Sequence, residues 1–349
     1  MTVEEKYMFR CIQLAENGKN RVRTNPMVGA VLVANGKIIG EGYHACYGQA
    51  HAEVNAIHAV KEDSLLAQAT LYVSLEPCAH YGKTPPCAQL IIDKHIPRVV
   101  IGCRDPFSKV DGRGVQMLRN AGVDIKVGVL ESECQELIRR FLTFHTHKRP
   151  YVILKWAESA DGYLDRKRDS GIPVKLSTDL TMMLVHKRRA EVDAVLVGTN
   201  TALLDNPTLT VRNWYGKNPL RVVIDRHLRL PACLNLFTDG NPTLCFTERE
   251  VTCEGVGGVV YELLQQDTPI LPQILSSLYE KGVQSVLVEG GSGLLQAFID
   301  AGLWDEAYVE HADFSLGDGV PAPVLSGYSM SAKTRFGVSM RKFVHNQCG

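Results

Sequence analysis

Along residues 1–20 apolar side chains recur at a helical interval, with Met8, Cys11, Ile12 and Leu14 near one stripe, until "RVRTNPMVG" breaks the pattern. The spacing predicts a helix and then a loop. "MVGAVLVANGKIIGEGYH" follows as an apolar run, an Asn35-Gly36 turn and a second apolar run, the strongest short-range signal for a β-hairpin. From there the period alternates: a helix from His51 to about Lys61, a strand in "ATLYVSL", a helix after Pro86 and a strand in "RVVIGC". A helix from about Gly114 to Asn120, a strand in "VDIKVGVL" and a helix from about Glu131 to Thr146 complete the series, which calls for a mixed sheet covered by helices.

Basic "HTHKRP" ends at Pro150, and a fresh apolar strand, "YVILKWA", begins at once. Proline discourages helix continuation, so the border falls near residue 148, between domains 1–147 and 148–349. Beyond it come a helix in "LTMMLVHKRRAEV", strands in "DAVLVG" and "PLRVVID", a helix in "PQILSSLYEKG", a strand in "VQSVLVEGG" and a helix in "GLLQAFIDAG". This is a second α/β unit, with residues 230–268 left without an assignment.

A chain of 349 residues is long enough for two ordinary domains, and 45% hydrophobic with 22% charged residues is the composition of a folded globular protein. Lys and Arg total 38 against 38 Asp and Glu, so there is no electrostatic footprint for DNA, RNA or an acidic membrane surface. "MTVEEKYMFR" reads as neither a secretory signal nor a transit peptide, and no apolar run approaches the roughly 18 residues of a membrane span. Ten cysteines without an export signal point to a reducing compartment, the cytoplasm, where thiols serve as core residues, metal ligands or nucleophiles.

Candidate chemistry concentrates in "QAHAEVNAIHA" and "LEPCAHYGKTPPC". His51 and Glu53, two apart, do not share a helical face, so a division of labour fits them better than shared ligation. His51 with Cys78 and Cys87 leaves one position open on a tetrahedral zinc, where a water has its pKa lowered to about 7. Glu53 beside that water is placed to take its proton and hand it to a leaving nitrogen, as hydrolytic deamination requires. Cys78 stands at a strand end and Cys87 at a helix start, where unpaired N–H groups favour a thiolate. A structural zinc would instead recruit a fourth ligand, for which His44 or His80 could serve.

Zinc nucleobase deaminases carry His-x-Glu followed by Pro-Cys-x-x-Cys; here the cysteines are separated by eight residues. With "TNPMVGAVLV", "GYH", "HAE" and "DPFSKVDGRG", the segment closely resembles, over about residues 1–147, the N-terminal domain of the bifunctional deaminase/reductase family of riboflavin biosynthesis. The resemblance implies a cytidine-deaminase-like three-layer α/β/α domain with a mixed sheet. It also implies pyrimidine and phosphoribosyl contacts at Asn25, His44, His80, Lys83 and Thr84, and Phe107 stands where the family usually has Asn.

In the second domain "VLVEGGSGLLQAF" is a strand, a Gly-rich turn and a helix whose N–H groups at Gly291, Ser292 and Gly293 could cradle a phosphate, without the full G-x-G-x-x-G spacing. "LKWAESADG", "RRAEVDAVLVGTNTALLDNPTLTVR" and "PLRVVID" are similar to the reductase domain of the same family, a dihydrofolate-reductase-like fold that uses NADPH. By that similarity Ala157, Thr201, Asp205 and the segment Gly291, Ser292, Gly293, Leu294, Leu295 face NADPH, while Arg189, Leu209, Arg212 and Glu289 face substrate. Two departures stand in "GIPVKLST": Pro173 replaces a substrate Ser and Lys175 an aromatic cofactor contact.

The resemblance implies deamination of a diaminohydroxyphosphoribosylaminopyrimidine and NADPH-dependent reduction of the resulting aminouracil's ribosyl group, on small molecules and away from membranes. The family also suggests a homo-oligomer. Two rival expectations are a deaminase whose C-terminal domain is a non-catalytic binding or dimerisation module, and an RNA-editing deaminase, against which the balanced charge and the wide cysteine gap both count.

Overall fold

A strand buried on both sides must be apolar at odd and even positions alike, and "GAVLVA" meets that condition. The computed structural model describes residues 1–345 other than 20, 23–24, 81–84, 106–111, 170, 252–257 and 327. It divides into two units, Met1–Lys148 and Arg149–Gly349.

In the first unit α1 (Val3–Glu16) opens on a capping box in which Thr2 Oγ1 accepts from the Glu5 N–H and the Glu5 carboxylate accepts from the Thr2 N–H. The hairpin is β1 (Gly29–Ala34) and β2 (Lys37–Tyr43). Its two turn residues, Asn35 (φ 52°) and Gly36 (φ 72°), both take the left-handed conformation that such a tight turn requires. There follow α2 (Ala52–His58), β3 (Thr70–Leu75), α3 (Cys87–Asp93), β4 (Arg98–Cys103), α4 (Arg113–Asn120), β5 (Asp124–Val127) and α5 (Glu131–His147). The sheet runs β2-β1-β3-β4-β5, antiparallel across β2, β1 and β3 and parallel from β3 to β5. Two boundaries differ from expectation: α2 ends at His58 rather than near Lys61, and His51 caps the helix instead of starting it. A 3₁₀ helix at Asp63–Gln68, which apolar spacing did not signal, fills the interval before β3.

Strand alternation builds the layers. Ala30, Leu32 and Ala34 join Leu71, Val73, Val99 and Ile101 against α2, α3 and α4. Val31 and Val33, on the other face, join Tyr72 and Val100 against α1 and α5. The helix capped by the candidate metal ligand His51 is seated against glycines of β2. A Cβ at Gly40 would stand 2.3 Å from Ala56 O, and one at Gly42 would stand 2.3 Å from Ala56 N. Only glycine admits that contact.

The second unit holds β6 (Tyr151–Glu158), β7 (Tyr163–Asp165), α6 (Asp179–Ala190), β8 (Ala194–Gly198), α7 (Thr199–Asp205), β9 (Leu220–Ile224), α8 (Asn235–Thr238) and β10 (Thr243–Thr247). It continues with β11 (Val259–Leu263), α9 (Ile270–Glu280), β12 (Ser285–Val288), α10 (Ser292–Asp300), β13 (Glu306–His311), β14 (Val320–Pro321), β15 (Ser329–Arg335) and β16 (Val338–Val344). The main sheet runs β11-β10-β9-β8-β12-β6-β13-β16-β15, with β7 and β14 paired separately. It is parallel from β11 to β13, and β16 and β15 close it antiparallel. Val152, Leu154, Ala194, Leu196, Val286 and Val288 pack with α9 and α10, while Ile153, Val195, Val197 and Leu287 pack with Ala202, Leu209 and Leu236.

Residues 230–268 resolve into α8, β10 and β11, and the C-terminal strands went unread. In β13, Glu306 and Glu310 are buried and interrupt the apolar count, each held by partners distant in sequence. Among the described residues no helix is long and apolar enough to cross a membrane.

Gly42→Ala is expected to push α2 off β2 and to cost about 1–3 kcal/mol, the usual range for overpacking. Denaturant unfolding of the full chain measures this as a lower midpoint with an unchanged slope.

Candidate active sites

Two helix starts meet in the first unit. His51 is the N-cap of α2, in extended conformation, and Glu53 lies in that helix's first turn with 4% exposure. Cys87 opens α3 behind Pro86, and its backbone N–H, which has no acceptor within the helix, donates to Cys78 Sγ at 3.3 Å. His51 Nδ1 lies 3.3 Å from Cys87 Sγ and 3.7 Å from Cys78 Sγ. The potential ligand atoms of these three residues all lie within 4.8 Å of one another, and no other such cluster of His, Cys, Asp or Glu occurs among the described residues.

The spacing fits zinc. Bonds of about 2.3 Å to sulfur and about 2.0 Å to nitrogen at tetrahedral angles separate ligand atoms by about 3.5–3.8 Å, close to the distances present. The local electrostatics suit a metal as well. Hydrogen bonds from Cys87 and His51 bring the Cys78 thiol down to about 4, while the same contact with Cys78 pushes Cys87 up. The Cys78 sulfur in turn raises His51 to about 9. Burial pushes the Glu53 carboxyl up to about 6, into the range of a group that both takes and gives a proton near neutral pH.

His44 is not a fourth ligand. Its Nδ1 is 3.1 Å from Ala50 O, so that nitrogen donates, and Nε2 accepts from Asn25 Nδ2 at 3.0 Å. Burial lowers its pKa, and the two hydrogen bonds engage both ring nitrogens. Its ring stands edge-on to His51, with centroids 5.5 Å apart. His80 is exposed and outside the ligand cluster.

Asn25, His44, His51, Glu53, Cys78 and His80 all line one cavity of about 290 Å³. Lys83, Thr84 and Phe107 lie outside the described residues. Sequence reasoning missed Tyr47, Glu76, Asp105, Phe141 and His145, which line the same cavity. Phe141 and His145 sit four apart on α5, far along the chain from the recognisable motifs, and only that helical spacing could have flagged them.

In the second unit the expected residues gather beyond the carboxyl ends of β6, β8 and β12, where ligands bind in open parallel sheets. Gly291 is the N-cap of α10, and its N–H donates to Thr201 Oγ1 at 2.9 Å. Ser292 and Gly293 form the first turn, and a Cβ on Gly293 would meet only open space. Ala157 lies in the last turn of β6's pleat, paired with Glu310 in register. The Asp205 carboxylate accepts from Arg168, whose Nε also donates to Asp165 at 2.6 Å.

Arg189 grips Glu289 with two bonds, of 2.9 and 2.6 Å, and reaches Thr210 O at 3.2 Å. Arg212 donates to Thr210 Oγ1 at 3.2 Å and to Thr208, so Arg189, Glu289 and Arg212 converge around Thr210. Burial works to raise Glu289, but Arg189 and Lys155 outweigh it and hold the carboxyl below its ordinary value. Lys155, which sequence reasoning missed, has its amine lowered by burial against the pull of Glu289 and Glu310. A lone lysine in the apolar strand "YVILKWA" was the available signal.

Leu209 is 2% exposed and Leu295 0%, and both side chains are packed in the core, so a ligand at either position meets the backbone. At the departures, Lys175 is exposed and donates to Asp179 Oδ1 at 2.6 Å, a solvated pair at the start of α6.

Cys87→Ser is expected to lower zinc affinity by at least about a hundredfold and to reduce the thermal midpoint of the first unit, because ligation and folding are coupled. Metal analysis after dialysis, beside a melting curve, measures both.

Residues 1–103 match the family model described as the cytidine and deoxycytidylate deaminase zinc-binding region, and residues 150–346 match the RibD C-terminal domain. The riboflavin biosynthesis protein RibD of Bacillus amyloliquefaciens is 40% identical over 93% of this chain and 88% of its own, and that of Aquifex aeolicus is 39% identical over 91% and 89%. The crystal structure of a diaminohydroxyphosphoribosylaminopyrimidine deaminase/5-amino-6-(5-phosphoribosylamino)uracil reductase from Thermotoga maritima aligns with a TM-score of 0.88 at 38% identity, covering 98% of this chain and 99% of that one. With a zinc-compatible donor set in the first unit and the reductase family's domain in the second, the chain belongs to the RibD family of riboflavin biosynthesis proteins.

Proposed function

We propose that the chain is a bifunctional enzyme of riboflavin biosynthesis, a zinc-dependent deaminase over 1–147 and an NADPH-dependent reductase over 148–349. The observation that carries the reading is the buried Glu53 carboxyl beside the cluster of His51, Cys78 and Cys87, in a cavity large enough for a pyrimidine. When bound, zinc makes water acidic enough to yield hydroxide near neutral pH. Glu53 takes the proton that water gives up and delivers it to the departing nitrogen, so an amine of the diaminopyrimidine becomes a carbonyl and ammonia leaves. Asn25, oriented by His44, reads the ring's polar edge, and His80 lines the same cavity; substrate roles for Lys83 and Thr84 rest on the family resemblance alone.

In the second unit hydride comes from NADPH, and the chain's part is to bind and orient. Thr201, Asp205, Ala157 and the backbone of residues 291–295 hold the cofactor. The Arg189 guanidinium is occupied by Glu289 and Thr210, so it fixes the carboxylate, while exposed Arg212 is the cation left for the substrate's phosphate. Reduction at the sugar's first carbon gives the ribityl product.

The reading includes a cytoplasmic location, supported by thiols at positions 78 and 87 that must stay reduced to bind metal, and small-molecule rather than nucleic-acid substrates, supported by the zero net charge. It also includes self-association, which sedimentation reads directly.

The test is a product mass spectrum after zinc-loaded protein meets the diaminopyrimidine phosphate and NADPH. Exchange of amine for oxygen together with added hydride and proton is expected; exchange alone would reduce the second unit to a non-catalytic module. Glu53→Gln should keep zinc, lose about 10²–10⁴-fold in deamination and leave reduction of the preformed aminouracil intact.

The pH profile follows from the raised Glu53 pKa. As a base the carboxyl must be ionised, so deamination falls as pH drops through its pKa. That value is about 6 before metal binds and is drawn lower by a neighbouring cation, so the acid limb of kcat/KM should lie at or below about pH 6 and vanish in Glu53→Gln.

A further inference from the structure

"LEPC" and "DGRG" each stand out in the sequence, yet the deamination chemistry uses neither Glu76 nor the two glycines. In the fold they form one device. Glu76 directly follows β3, is 4% exposed and lines the deaminase cavity. Among the described residues its carboxylate accepts three backbone N–H bonds: Oε2 from Asp105 at 3.4 Å and Gly112 at 3.2 Å, and Oε1 from Val115 at 3.1 Å.

Gly112 is the N-cap of α4, and Val115 is the helix's third residue, whose N–H an N-cap side chain would normally take. Gly112, at φ 74°, has no side chain to do so. Glu76 therefore caps the helix from a different element, and its negative charge meets the positive end of the helix dipole. Gly114 permits the approach, because a Cβ there would stand 2.0 Å from Pro77 O and 3.2 Å from Glu76 Oε1. The Glu76 N–H donates to Cys103 O at 3.0 Å, which ties the end of β3 to the end of β4. Asp105, two residues past β4 and 7% exposed, lines the same cavity.

The metal ligands are held by other bonds. Cys78 Sγ accepts from the Cys87 N–H, Cys78 O accepts from the Ala88 N–H at 3.1 Å, and His51 is placed by α2. What Glu76 holds in common is the chain at Asp105 and the first turn of α4.

We propose that Glu76 is a positioning residue of the deaminase, which clamps Asp105 and the start of α4 to the end of β3 and thereby fixes the cleft wall that receives substrate. The inference rests on the deaminase reading above. Substrate affinity depends on this clamp and metal geometry does not.

Glu76→Gln tests it in the full zinc-loaded chain. Glutamine keeps the size but replaces one acceptor oxygen with an NH₂, which must then face an N–H donor, so one end of the clamp opens. The expected result is a deaminase KM raised about tenfold or more with kcat within about threefold. The cobalt-substituted protein should keep its thiolate-to-metal absorption, and reduction of the aminouracil should be unchanged. An unchanged KM would overturn the proposal, as would a cobalt spectrum that shifts together with a fall in kcat, since Glu76 would then act through Cys78. Wild-type protein that fails to deaminate would remove the deaminase reading itself, and that is seen before any variant is made. Should Glu76→Gln fail to fold, hydrogen exchange on the wild type decides: the amides of Gly112 and Val115 should be protected, and exchange at unprotected rates would refute the clamp.

Discussion

The first unit depends on one contact, the Cys87 N–H that donates to Cys78 Sγ. Two sulfurs that must carry negative charge, an imidazole and a carboxyl crowd a region sheltered from water, where unpaired charge is costly. The chain offsets that cost with fixed backbone donors. Pro86 ends the preceding extended segment and starts α3 at Cys87, so an N–H that a helix interior would have used is free for the sulfur. α2 presents its own N-terminus beside it, with His51 as cap and Glu53 in the first turn. The glycines of β2 let that helix sit against the sheet closely enough to bring His51 Nδ1 to within 3.3 Å of Cys87 Sγ.

The second unit handles buried charge by pairing side chains. Arg189 and Glu289 neutralise each other in a bidentate pair, and Glu310 accepts from Ser177 Oγ at 2.8 Å and Thr181 Oγ1 at 2.6 Å. Burial disfavours the charge of Lys155, and the Glu289 and Glu310 carboxylates favour it. A network of this kind is sensitive to any single loss, because removing one partner strands the other's charge in low dielectric. It also leaves the carboxyl ends of the parallel strands lined by polar groups.

How much of this was legible depended on whether the determining contact was local. The β1–β2 hairpin was readable because Asn35-Gly36 dictates its turn from two adjacent residues, and β1, β3 and β4 were readable because burial on both faces leaves a continuous apolar run. His51, Cys78 and Cys87 were singled out by residue type and spacing, and the fold gathers them. β13 escaped notice because its buried glutamates find partners in Lys342, Ser177 and Thr181, none of them near in sequence. At Leu209 and Leu295 side-chain direction is set by packing, which turned both into the core. Glu76 was hidden for the same reason as β13, since its three donors lie in segments that only the parallel pairing of β3 and β4 brings together.

The unusual cysteine gap follows from the same physics. A metal site needs its sulfurs held in place, and the Cys87 N–H to Cys78 Sγ and Ala88 N–H to Cys78 O bonds do this at the two ends of the connection, whatever its length. Lengthening the connection from two residues to eight adds only about 1 kcal/mol of loop-closure entropy, against roughly 10–16 kcal/mol available from binding a structural zinc to a folding peptide. The gap is therefore thermodynamically cheap to widen. Of the described residues of that stretch, His80 lines the cavity that also holds Glu53 and Cys78.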